Sequence, residues 1–154
     1  MSYLLLKYLH ILSATVMFGT GLGTAFYMFV TNRGKQVQSI ATVSHWVVKA
    51  DWWFTTPSVI IQPISGLWMV HLAGWPLASH WLLVTFALYL LAAACWLPVV
   101  WLQLRMRDMA CDALAHGKPL PQRYWQFERL WTLLGVPAFT GLLVVYWMMV
   151  AKPA

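Results

Sequence analysis

Charge is what this sequence has least of. Only 9% of its 154 residues are Asp, Glu, Lys or Arg, and only four of those are acidic. A soluble domain carries roughly a quarter charged residues, so water is not the main solvent here. The scarcity is also concentrated. No Asp, Glu, Lys or Arg occurs between Trp52 and Leu104, a run of 53 residues, and Tyr8–Thr31 and Leu130–Ala151 are equally free of formal charge. Catalytic motifs are missing too: there is no CxxC, no His-x-x-x-His, no Gly-rich phosphate loop and no Ser/His/Asp nucleophile set. Hydrolase and nucleotide-driven functions lose support accordingly. Of the two cysteines, Cys95 falls within a span and Cys111 in a basic loop. That placement makes a bridge geometrically awkward, and both read as free thiols.

What remains is 61% hydrophobic. A bilayer core takes about 20 apolar residues per helix, so the three charge-free runs supply one, two and one spans. The expected fold is all-α, a four-transmembrane-helix bundle forming a single integral membrane domain over 1–154. Its helices are expected at about 3–30, 44–72, 81–107 and 125–150. The first span lacks a preceding basic segment and exceeds a signal-peptide core of roughly 7 to 15 residues, so it reads as a retained helix.

The net charge of +6 does not point to nucleic acid. Eight of the ten basic residues lie in Thr31–Asp51 and Arg105–Arg129, and the connection from Leu72 to His80 has none. By the positive-inside rule both basic loops are cytoplasmic. Both termini then fall on the periplasmic side of a bacterial inner (cytoplasmic) membrane, with the lipid bilayer as the principal partner. Most of the eleven tryptophans, Trp131 included, cluster near the expected interfaces as belt residues do.

Polar side chains at membrane depth avoid lipid, so they mark the inward faces. Asp51, Thr55, Ser58, Gln62, Ser65 and Met69 follow one another at threes and fours, as do His10, Ser13, Met17, Thr20, Thr24 and Tyr27. Each set is one helical stripe, and the two are expected to face each other. Gly19 with Gly23, and Gly21 with Ala25, form small-xxx-small pairs that allow close helix approach. On the third helix Thr85, Tyr89, Ala92, Trp96 and Gln103 share a weaker face. Asp51 could serve as a proton entry point or pair with a basic loop residue.

His10 is the most informative residue. An intramembrane imidazole can ligate a metal or haem iron, relay protons, or hydrogen-bond across helices. His71 first suggests itself as a second ligand, but it lies nine residues from Gln62, half a turn off the stripe. Met69 lies on the stripe at a depth similar to that of His10. The candidate cofactor-binding set is therefore His10, Ser13, Met17, Gln62 and Met69, with His10 as the metal ligand.

The segments KYLHILSATVMFGTGLGTAF, PVVWLQLRMR and LGVPAFTGLLVVYWMMVAKP resemble the uncharacterised bacterial membrane family known as domain of unknown function 2269 over nearly the whole length. Leu9-His10 followed by Ser13, and Thr56-Pro57 followed by Gly66-Leu67, are similar to elements of the HemJ-type protoporphyrinogen oxidases. That resemblance implies a haem b whose axial ligand is His10. Two cationic positions of those oxidases read approximately Phe26 and Thr85 here, which removes partners for porphyrin propionates. The leading expectation is a haem-b-binding protein with a redox or electron-transfer role; porphyrinogen oxidation is its enzyme version, and a quinone, a respiratory partner or a second copy of the chain are its candidate partners. The alternative is a non-catalytic membrane subunit or scaffold of a larger complex, without its own cofactor.

Overall fold

The structure is a computed structural model that describes residues 2–152. Among these the secondary structure is helical throughout. Helix α1 spans Tyr3–Gly34, with Ser2 as its N-cap accepting from the Leu5 N–H. Lys35 then turns the chain at φ 54°, and α2 begins two residues later, at Val37–Ala50. A π-helical segment, Asp51–Thr55, leads without a break into α3, Thr56–Ala73. Gly74, in the left-handed region at φ 67°, ends α3. Helix α4 covers His80–Ala115 and α5 covers Gln122–Ala151.

The chain runs up and down. The start of α1 meets the middle of α3, where Gln62 and Ser65 reach His10, and the end of α1 meets the start of α5, where Tyr124 donates to Asn32 at 2.8 Å. Helix α4 starts beside the end of α3 and finishes on α2, while α5 returns to the start of α4. One end of the bundle therefore carries His10 and Trp81, and the other carries the basic loops.

Two buried clusters hold these ends together. At the basic end Met28, Ile40, Val47, Leu102, Met106, Ala110 and Tyr124 pack as one core. At the histidine end Val70, Trp81 and Leu82 pack with Met148 and Met149. The exterior is apolar: Trp53 is 76% exposed and Val150 81%. An apolar surface of that extent suits lipid and not water.

Helices α1, α4 and α5 are each long and apolar enough to cross a membrane; α3 is not among them. The reason lies in α3 itself, which has 18 residues and includes Gln62, Pro63, Ser65 and His71. Four spans were expected, and three helices meet the requirement.

Other expectations are corrected. The second helical run starts at Val37 and not near Ser44, because Ile40, Ala41, Ser44, Val47 and Val48 form a buried face at helical spacing. Helix α4 continues to Ala115, eight residues past Arg107, since Met106, Ala110 and Ala113 are buried on the same side. Tyr27 is exposed, and the inward position there is Met28. Gly19 and Gly23 have nothing nearby that an added Cβ would meet, so neither marks a close helix contact. The tight approach is at Gly66, where a Cβ would lie 3.4 Å from the His10 ring.

Candidate functional site

The facing of α1 and α3 is held by polar contacts. His10 Nδ1 lies 2.7 Å from Ser65 Oγ, Gln62 Nε2 donates to the His10 carbonyl at 2.8 Å, and Ser13 Oγ donates to the Ser58 carbonyl at 3.4 Å. Ser65 Oγ is also 2.7 Å from the Ile61 carbonyl, which can only accept. The hydroxyl proton goes there, so Ser65 accepts from His10 and the imidazole proton is assigned to Nδ1. The Nε2 lone pair stays free. His71 is exposed, in keeping with its phase.

Beside His10 lies a void of about 70 Å³, lined among others by Gln62, Met69, Thr85 and Tyr89. Thr85 Oγ1 is buried there without a partner. The space equals about two waters at roughly 30 Å³ each. A porphyrin does not fit: cofactor pockets run to about 300–1,000 Å³, and none of the lining side chains is cationic. Met17 is not beside His10 either. Among the described residues no group of three or more His, Cys, Asp or Glu could hold a metal ion.

The larger space is elsewhere. A cavity of about 510 Å³ lies between α1, the π segment, α4 and α5, and Met17 lines it. Its walls are nearly all apolar, including Phe26, Ala93, Trp96, Gly135 and Phe139. Small residues on facing helices leave the volume unfilled. Its polar groups include Asp51, Thr55 and Gln103, and Trp131 joins them by its indole N–H. Asp51 is 5% exposed and accepts from Thr55 Oγ1 at 2.9 Å. Gln103 Oε1 and Trp131 Nε1 are buried without a protein partner, one an acceptor and the other a donor.

Local sequence explains this geometry. Pro57 has no N–H, and its ring would clash with the carbonyl four residues back, so the preceding turn widens to the π form. Within that widened turn Asp51 and Thr55 are both buried. Pro63 likewise leaves the Val59 carbonyl without its helical donor, and the Tyr89 hydroxyl donates to it. Tyr89 borders both spaces.

Residues 4–153 match the family described as "Predicted integral membrane protein (DUF2269)". The chain belongs to this family. No curated protein and no solved structure matches it. The likeness of this family member to the HemJ-type oxidases therefore rests on the short motifs alone.

Of the five candidate residues, the structure brings His10, Ser13 and Gln62 together, sets Met69 at the small void, and places Met17 in the other cavity. Trp131, whose position reads as aromatic belt, lines the larger cavity, and Tyr89, on a weak polar stripe, borders both spaces. One signal for the larger site was available: Asp51 is the only acidic residue before Asp108.

Proposed function

We propose that this is a bacterial inner-membrane protein that crosses the bilayer four times and holds a lipophilic molecule between its helices, without a cofactor of its own. The observation that carries the reading is the cavity of about 510 Å³, apolar along its walls and polar near Asp51 and Gln103. That is the size and the lining of a small-molecule site, a mostly apolar surface with a few convergent polar groups. Lipid-soluble compounds, quinones among them, have the matching character.

Chain direction supports the fourth crossing. Helices α1 and α4 both start at the histidine end, so if both span, the run from α2 to α3 must return through the bilayer. Burial of Ser58, Gln62 and Ser65 against α1 removes the polar face that lowers the hydropathy of α3. The basic loops at the other end support a cytoplasmic location for it and periplasmic termini.

Gly135 gives the test. Gly135 lines the cavity and a Cβ there meets nothing within 4 Å, so Gly135→Phe sets a ring into the space. Wild-type protein in lipid nanodiscs should retain a lipophile, enriched over empty discs in solvent extracts, that Gly135→Phe loses. Equal enrichment in the two proteins, or none in either, rejects the reading.

A further inference from the structure

The cavity's polar groups also bear on the charge of what it holds. Asp51 is buried, and no ion pair to it exists among the described residues. Lys49, two residues before Asp51, and Arg105, two residues after Gln103, do not serve it: the Lys49 ammonium sits 4.9 Å from the centre of the Trp46 ring and the Arg105 guanidinium 5.6 Å from that of Trp101. Neither basic residue lines the cavity, and Asp51 is the only acidic one that does. A carboxylate in such a place is costly unless a cation meets it. Thr55 Oγ1 donates to it at 2.9 Å, and no cation among the described residues meets the carboxyl.

We infer that the molecule held in the cavity is a lipophilic cation, an amine or quaternary ammonium with an apolar body, whose charge pairs with Asp51. The unpartnered Gln103 Oε1 supplies a second acceptor for its N–H or polarised C–H groups. Trp96, Phe139 and Trp131 line the same space, and aromatic rings attract a cation. An anionic lipophile is excluded by the same arithmetic: it would bring a second negative charge to a wall without a cation. A neutral alcohol would satisfy Gln103 Oε1 and Trp131 Nε1 but would leave Asp51 without a counter-charge.

The inference rests on the reading proposed above, and photolabelling separates the two. Dodecylamine and dodecanol, each with a diazirine in the chain, are photolysed with the full-length protein in phosphatidylcholine nanodiscs, and labelled peptides are mapped by mass spectrometry. Wild type should be labelled by both probes on the cavity stretches of α1, α4 and α5. Asp51→Asn keeps an oxygen for Thr55 to donate to. It should lose amine labelling about tenfold, equivalent to about 1.4 kcal/mol, while alcohol labelling stays as in wild type. Gly135→Phe should lose both. Amine labelling unchanged in Asp51→Asn overturns the cation inference and leaves the cavity reading standing. Labelling of the cavity by neither probe, or by both equally in Gly135→Phe, overturns both. Loss of both probes in Asp51→Asn, with native size-exclusion and circular-dichroism profiles, also overturns the cation inference, because charge then does not discriminate.

Discussion

His10 carries two separable properties, a hydrogen bond that joins helices and a free ring nitrogen. The bond to Ser65 and the one from Gln62 to the His10 carbonyl tie α1 to α3 at membrane depth. Interhelical hydrogen bonds in a bilayer average about 0.6 kcal/mol, so Gln62→Leu should lower stability by about that amount in a steric-trapping or denaturant titration, and not more. The free Nε2 is what a haem would need, but the adjoining space of about 70 Å³ does not admit one. Protein purified from haem-supplied cells should therefore show no Soret band. A band that disappears in His10→Ala would return the iron-ligand reading and overturn this one.

Within α3 a missing donor and a supplied one face each other. Pro63 removes the N–H that would pair the Val59 carbonyl, and the Tyr89 hydroxyl takes its place from α4. Tyr89→Phe should cost about 1 kcal/mol, whereas in a Pro63→Ala background, where the helix supplies its own donor, the same change should cost almost nothing. A double-mutant cycle measures that coupling, and additive effects would show that the tyrosine acts by packing alone. How far such elements could be read from sequence depended on periodicity. The polar stripe of Asp51, Thr55, Ser58, Gln62 and Ser65 was legible because threes and fours survive burial, and all five are buried. The first half of α2 and the last eight residues of α4 were not; on α4 the charges at Arg105 and Arg107 masked the face of Met106, Ala110 and Ala113. The cavity was illegible for a different reason. It is set by where Ala93 and Gly135 fall opposite one another across helices, and no single-helix pattern carries that.

At the scale of the whole molecule, the proposed fourth crossing and the proposed orientation rest on different observations. The crossing rests on the loop between α3 and α4 lying at the histidine end while the loop between α4 and α5 lies at the basic end, and the orientation on the charge of the basic loops. A chain whose α3 stayed on the basic side could not start α4 beside Val70 without moving the Trp75–Trp81 pair, whose rings sit 5.3 Å apart. The protein carries its own probe for this. Cys111 is exposed at the basic end, and Cys95, on the same helix within the expected span, is only partly so. Ala78, exposed in the α3–α4 loop, supplies the opposite face as Ala78→Cys. In intact spheroplasts a membrane-impermeant maleimide should label Ala78→Cys and leave Cys111 unmodified until the membrane is permeabilised. Labelling of both positions from outside would place the two loops on one side and remove either the α4 crossing or the bundle geometry. Labelling of Cys111 alone would keep the four crossings and invert them, setting the basic loops outside against the charge rule that oriented them.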